Sequence, residues 1–155
     1  GKPKIGEVLF TTEAPLGEVA LVDREDIALA QRVIKFDGVS GVLNNEYLRY
    51  LIMSEQFQHS LIMFASGSTA LGIKAQRLVY LRALIPPKKE QVEIVNHIEL
   101  MIGKVDELIT KALAAIDIMR ERRTALISAA VTGKIDVRNW VAPKPLDTND
   151  KEVAA

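Results

Sequence analysis

The sequence predicts an α+β chain: a small mixed strand-and-helix head followed by one long α-helix built to pack against another helix. Three observations predict it. Apolar residues at alternating steps of three and four run from Val95 through Ile98, Ile102, Val105, Ile109, Ala112, Ile116, Met119, Arg123 and Leu126 to Ala130, with Arg123 the one charged member. That spacing keeps a narrow stripe on one helix face, and a stripe sustained so long needs a second helix to cover it. Pro86-Pro87 supplies a helix start and Gly133 a stop. Ahead of them, residues 1–36 read as short runs of β-formers parted by turn residues. At about 1.5 Å per residue, a helix from Lys88 to Val131 makes a rod of roughly 65 Å, suited to a spacer or assembly arm.

Taken in order, Ile5–Phe10 and Gly17–Val22 are strands separated by Thr11-Thr12-Glu13-Ala14-Pro15-Leu16, and Ala28–Phe36 is a third. Asn44 reads as an N-cap, with Tyr47, Leu48, Leu51 and Ile52 on one helical face. Ser54 caps a second helix whose apolar side is Phe57, Leu61, Ile62 and Phe64. A polar break, Ser66-Gly67-Ser68-Thr69, precedes Leu71-Gly72-Ile73, and a strand-like run Leu81–Ile85 leads into the prolines. The expected division is a head at 1–85, the long helix and its end at 86–140, and a flexible polar tail at 141–155. Three strands and two short helices make a thin core by size scaling, so more of the head is expected upstream.

Composition narrows the function classes. No run of 18 apolar residues occurs, so no membrane span is expected, and the first residues carry no hydrophobic signal segment. Cysteine is absent, which removes disulfides and thiolate metal sites and points to a cytosolic setting. Charge is balanced locally: residues 1–85 carry nine Lys/Arg against nine Asp/Glu, and residues 88–140 nine against eight. A stand-alone nucleic-acid binder shows a basic excess, so a DNA-binding role here needs charge from partners.

No catalytic centre or cofactor site is expected. Gly67 to Gly72 has the frame of a phosphate loop, but Ile73-Lys74-Ala75 follows where Lys and Ser/Thr are required. Pro86-Pro87 lacks the amide before it and the aromatic after it that hold a target base in adenine methyltransferases. His59 and His97 have no partner at metal-ligand spacing, and no Ser-His-Asp ordering stands out.

Three stretches together resemble the specificity subunits of type I restriction–modification enzymes. Gly6-Glu7-Val8-Leu9-Phe10 followed by Gly17-Glu18-Val19-Ala20 is similar to the paired strands of a target-recognition domain. Ala65-Ser66-Gly67-Ser68-Thr69 with Gly72-Ile73, then Ile85-Pro86-Pro87 and Glu90-Gln91, resembles the passage where that domain hands over to a conserved helix. Arg122-Arg123-Thr124-Ala125-Leu126-Ile127 and Ala130-Val131-Thr132-Gly133-Lys134-Ile135-Asp136-Val137-Arg138 is similar to the carboxyl-end signature. The resemblance implies a non-catalytic subunit that reads double-stranded DNA. Two recognition domains each take half of a split site, and two antiparallel conserved helices act as a ruler between them. Adenine-methyltransferase subunits dock on each half, and restriction subunits can join. This chain matches part of one recognition domain and the distal conserved helix.

On that footing the DNA-binding candidates are Thr11, Thr12 and Glu13 on the first turn, Ser66, Ser68 and Thr69 in the polar break, and Lys74 and Arg77 just after it. Arg24, Arg32 and Lys35 are basic residues near other loops and rank below them. The helix-pairing residues are Val95, Ile98, Ile102, Val105, Ile109, Ile116, Met119 and Leu126, expected to form an antiparallel coiled coil, in the isolated chain with a second copy. Leu100 and Ile118 fall off the stripe, as ordinary exposed residues or as a second partner surface. The competing reading is a coiled-coil scaffold with no nucleic-acid role.

Overall fold

The computed structural model describes residues 2–67, 70–139 and 141. In chain order, β1 (Val8–Thr12), β2 (Leu16–Leu21) and β3 (Val33–Phe36) precede α1 (Asn45–Met53), α2 (Glu55–Phe64), the single turn α3 (Ala75–Leu78) and α4 (Lys88–Val131). The strands form one antiparallel sheet in the order β2-β1-β3, and the class is α+β as expected. Central β1 pairs Val8 with Leu21 on one side and Phe36 on the other, and Phe10 with Val19 and Ile34. Alternation along the strand then sorts side chains: Val8 and Phe10 share a face and are buried, while Leu9 between them is half-buried. Ile52 from α1, Leu61 from α2 and Ile73 close over that face to make the core.

The expected helix signals act where the sequence places them. The Asn44 side chain accepts from the backbone N–H groups of Glu46 and Tyr47, a cap whose loss costs about 1 kcal/mol. Ser54 ends α1 by donating its N–H to Leu51 and opens α2 by accepting from Phe57. Helix α4 starts directly after Pro86-Pro87 and runs 44 residues. It stops in a Schellman arrangement: Gly133, at φ +74°, donates to the Ala130 carbonyl and Lys134 to that of Ala129.

Three expectations change. The third strand covers Val33–Phe36 rather than Ala28–Phe36, because Arg32 adopts φ +68° and turns the chain just before Val33. Leu81–Ile85 is not a strand. Leu81 N–H bonds back to Leu78 in the α3 turn, and Leu84 gives its carbonyl to the Tyr47 hydroxyl rather than to a neighbouring strand. Thr11 and Thr12 belong to β1 rather than to the turn, which shrinks to Glu13-Ala14-Pro15.

The chain divides into two compact units, Gly1–Lys104 and Val105–Ala155. The opening turns of α4 fall within the first of these units. Within that first unit Gln91 and Val95 are buried, and Glu99 accepts from Arg49 Nη2 at 2.8 Å and from the Tyr50 hydroxyl. In the second unit the helix residues from Val105 to Ser128 are exposed, apolar members of the stripe included.

Candidate nucleic-acid interface

Two candidate segments far apart in sequence meet at the edge where the central strand β1 ends. The Ile73 N–H donates to the Thr12 carbonyl at 2.9 Å, and Ser66 and Gly72 exchange backbone bonds at 2.9 and 3.1 Å. A bridge between Glu13 and Gly72 completes the stitching. Gly72 allows the close approach: a Cβ there would lie 3.1 Å from Glu13 Cγ and 3.3 Å from the Thr12 carbonyl oxygen, tight enough that its neighbours would have to shift. Between the two segments lies a cavity of about 240 Å3, lined among others by Thr12, Glu13, Ser66, Gly72 and Lys74. Ser68 and Thr69 lie outside the described residues.

The polar groups of this edge are partly committed. The Thr12 hydroxyl donates to the Arg32 carbonyl at 2.9 Å, and Thr11 Oγ1 accepts from the Glu18 N–H at 2.9 Å. Both hydroxyls serve the turn and its flanking strands first. Glu13 pairs with Arg32 at 3.4 Å, both partly open to solvent. Lys74 is exposed at the start of α3, and Arg77 Nη1 donates to the Phe64 carbonyl at 3.0 Å while the residue stays exposed. Glu13 is thus paired with Arg32 and shares the cavity lining with Lys74, while the Arg77 guanidinium is held at the end of α2. Two non-glycine residues at positive φ, Ala14 at 50° and Arg32 at 68°, sit on the loops here. Such conformations cost about 1 to 2 kcal/mol per residue and gather at functional sites.

Arg32 is the member of this edge that spacing in the sequence passed over. It arrives because β3 pairs with β1 from Thr11↔Val33 onward, a register no local motif announces. Of the other lower-ranked bases, Lys35 is drawn inward to Glu7 and Arg24 pairs with Asp26 at 3.1 Å on the surface.

The motifs that carried the resemblance mostly face inward. Gly6, at φ +84°, donates to the Val22 carbonyl, and Glu7 is buried with its carboxylate accepting from the Lys4 N–H at 2.8 Å and from Lys35 Nζ at 2.6 and 2.7 Å. The lysine hydrogen bond, then the backbone one, hold the Glu7 carboxyl below the usual glutamate range against the opposing effect of burial. Gln91 is 0% exposed and bonds three residues, Val42 and Asn44 in the loop ahead of α1 and Pro86 just before α4. Near the helix end Asp136 chelates the Arg138 guanidinium at 2.9 and 2.7 Å, which lowers the aspartate pKa.

Among the helix-pairing candidates, Val95 is buried by this chain and Ile98 is partly covered. Ile102, Val105, Ile109, Ile116, Met119 and Leu126 are between 41% and 61% exposed. His59 and His97 are exposed, and among the described residues no cluster of His, Asp or Glu is arranged to hold a metal. No helix among them is long and apolar enough to cross a membrane.

A family model described as Type I restriction modification DNA specificity domain matches residues 2–117, which takes in the sheet, the short helices and more than half of α4. The chain is also 25% identical over 142 residues to the type I restriction enzyme MjaVIII specificity subunit of Methanocaldococcus jannaschii. That match covers 88% of this chain and 32% of the relative, so the chain spans about a third of that curated protein's length. Since the match runs through the stitched edge and on into the long helix, the chain belongs to the type I restriction–modification DNA specificity family.

Proposed function

We propose that this chain is the DNA-reading and assembly portion of a type I specificity subunit. It reads one half of a bipartite site in double-stranded DNA and scaffolds adenine-methyltransferase subunits, to which restriction subunits can add. It contributes no catalytic group; the chemistry belongs to its partners, and its work on DNA places it in the cytoplasm. The observation that carries this reading is the family match across both head and helix. A scaffold without nucleic-acid binding would not need the first of those parts and is not favoured.

Within the head (1–85), the edge built by the β1–β2 turn and residues 66–77 is the DNA-facing side. Lys74, Arg77 and Arg32 neutralise phosphates, while Ser66, Ser68 and Thr69 add hydroxyl or main-chain bonds to backbone oxygens. Glu13 is repelled by phosphate, but a carboxylate accepts hydrogen bonds from the exocyclic amino group of cytosine, so its place is at a base edge.

The helix (86–140) pairs antiparallel with another long helix through the exposed stripe from Ile102 to Leu126, in the isolated chain with a second copy. Charge supports this direction. Residues 88–109 carry three lysines against five carboxylates, and residues 110–131 carry four Lys/Arg against two. An antiparallel pair sets the acid-rich half against the basic half; a parallel pair sets like against like. Two heads held at opposite ends of such a pair make the helix a ruler between half-sites.

The test is an exchange. The full-length subunit is reconstituted with its methyltransferase, and residues 1–85 are replaced by the matching segment of another family member. Sequencing of methylated DNA should show one half-site changed and the other intact. A methylation pattern untouched by the exchange overturns the reading.

A further inference from the structure

We propose that Gln91 is a positioning residue: its buried amide fixes how the first turns of α4 are set on the head, and so sharpens the range of spacers the assembly accepts. This rests on the ruler reading above.

Gln91 is polar and fully buried. Its Nε2 donates to the carbonyls of Val42 and Pro86, both at 2.8 Å, and its Oε1 accepts from the Asn44 N–H at 2.8 Å. One amide thus joins the segment entering α4 to the loop that ends in the α1 N-cap residue. Both of its donors are used. Three directional bonds, two to the loop ahead of α1 and one to Pro86 in the chain entering α4, define an orientation, where an apolar contact of the same size would tolerate sliding. Glu99, eight residues on and so on the same helix face, adds a second anchor through Arg49 and Tyr50, and buried Val95 lies between them. The Tyr47 hydroxyl also donates to the Leu84 carbonyl at 3.1 Å, holding the incoming chain.

The leverage is geometric. A tilt of about 3° at one end of a rod of roughly 65 Å moves the other end by about 3.4 Å, one base-pair step. A joint loosened by a few degrees therefore converts a single permitted spacer into several.

The experiment uses the complete assembly with Gln91→Met, which keeps the side-chain size and removes all three bonds. Methylation is measured on DNAs whose spacer varies one base pair at a time, beside a second assembly with four residues inserted into α4. The expected result is unchanged half-site bases, with methylation of spacers one base pair off rising about tenfold relative to the native spacer. A role confined to stability would lower methylation of all spacers alike. If Gln91→Met keeps the sharp spacer while the insertion shifts it, this inference fails and the ruler stands. If the insertion itself shifts nothing, the ruler reading fails and takes this inference with it. Should Gln91→Met not fold, Gln91→Asn, one methylene short of its partners, gives the same readout. Failure of both to fold overturns the proposal, because the amide then serves the fold as a whole.

Discussion

Glu7 is a carboxylate with 6% of its surface exposed, kept charged by Lys35 and by the backbone of Lys4. Those bonds hold its pKa below the ordinary glutamate value of about 4.3. A depressed folded-state value means the stability it contributes is complete above that ordinary value and is lost as pH falls toward the depressed one. Glu7→Gln should therefore unfold at lower urea than the parent at pH 7, with the gap closing below about pH 4.3 as Glu7 itself protonates. Urea midpoints at the two pH values check this, and a gap that persists in acid would show that the charge is not what matters. The sequence marks Gly6-Glu7 as part of a strand motif and Lys35 as one loop base among several. Their meeting was not legible there, because they are 28 residues apart and only the β1–β3 register brings them together. Gln91 poses the same problem: its motif is visible, but its partners Val42 and Asn44 are set by tertiary packing.

Elements whose limits depend on local chemistry are read well from the residues alone. Asn44, Ser54, Pro86-Pro87 and Gly133 act on backbone groups within a few positions, so α1, α2 and α4 start or stop where those residues predict. Strands depend on a partner, and there the reading weakens. Leu81–Ile85 has the composition of a strand but pairs with none among the described residues, while the third strand is cut short by a backbone turn at Arg32. The stripe on α4 is legible as a pattern, and its exposure in the single chain gives it a clean test. Ile109 and Ile116 are 51% and 41% exposed, so replacing them removes little from the monomer's own packing. Ile109→Asp with Ile116→Asp should leave the isolated chain folded by circular dichroism, yet abolish self-association in light scattering, since pairing would bury unpaired carboxylates. A dimer that persists in the double variant would place the contact elsewhere.

At the scale of the molecule, the proposed ruler role makes length a measurable variable. Four residues added after Ala114 extend α4 by about 6 Å, nearly two base pairs, and rotate its face by about 40° beyond a full turn, which a heptad seam absorbs as a stutter. In the complete assembly the preferred spacer should lengthen with both half-site sequences unchanged, as read by methylation mapping. Altered half-site bases with an unaltered spacer would put the recognition determinants on the helix instead. The edge that meets DNA in this scheme was only partly visible beforehand: the two segments could be named, but the bonds that join them run between backbones and leave no mark on residue type. Those same bonds bear on how such proteins diverge. Ser66, Gly72, Thr12 and Ile73 are fastened through main-chain N–H and carbonyl groups, so most side chains around them can change without loosening the loop. If that edge reads DNA as proposed, mutation there explores new target sequences at little cost to folding, while Glu7 and Gln91 are each held by partners elsewhere in the fold. On the proposed reading, a restriction system under pressure to alter its target has, beside those backbone bonds, exposed positions that can change while the frame is kept.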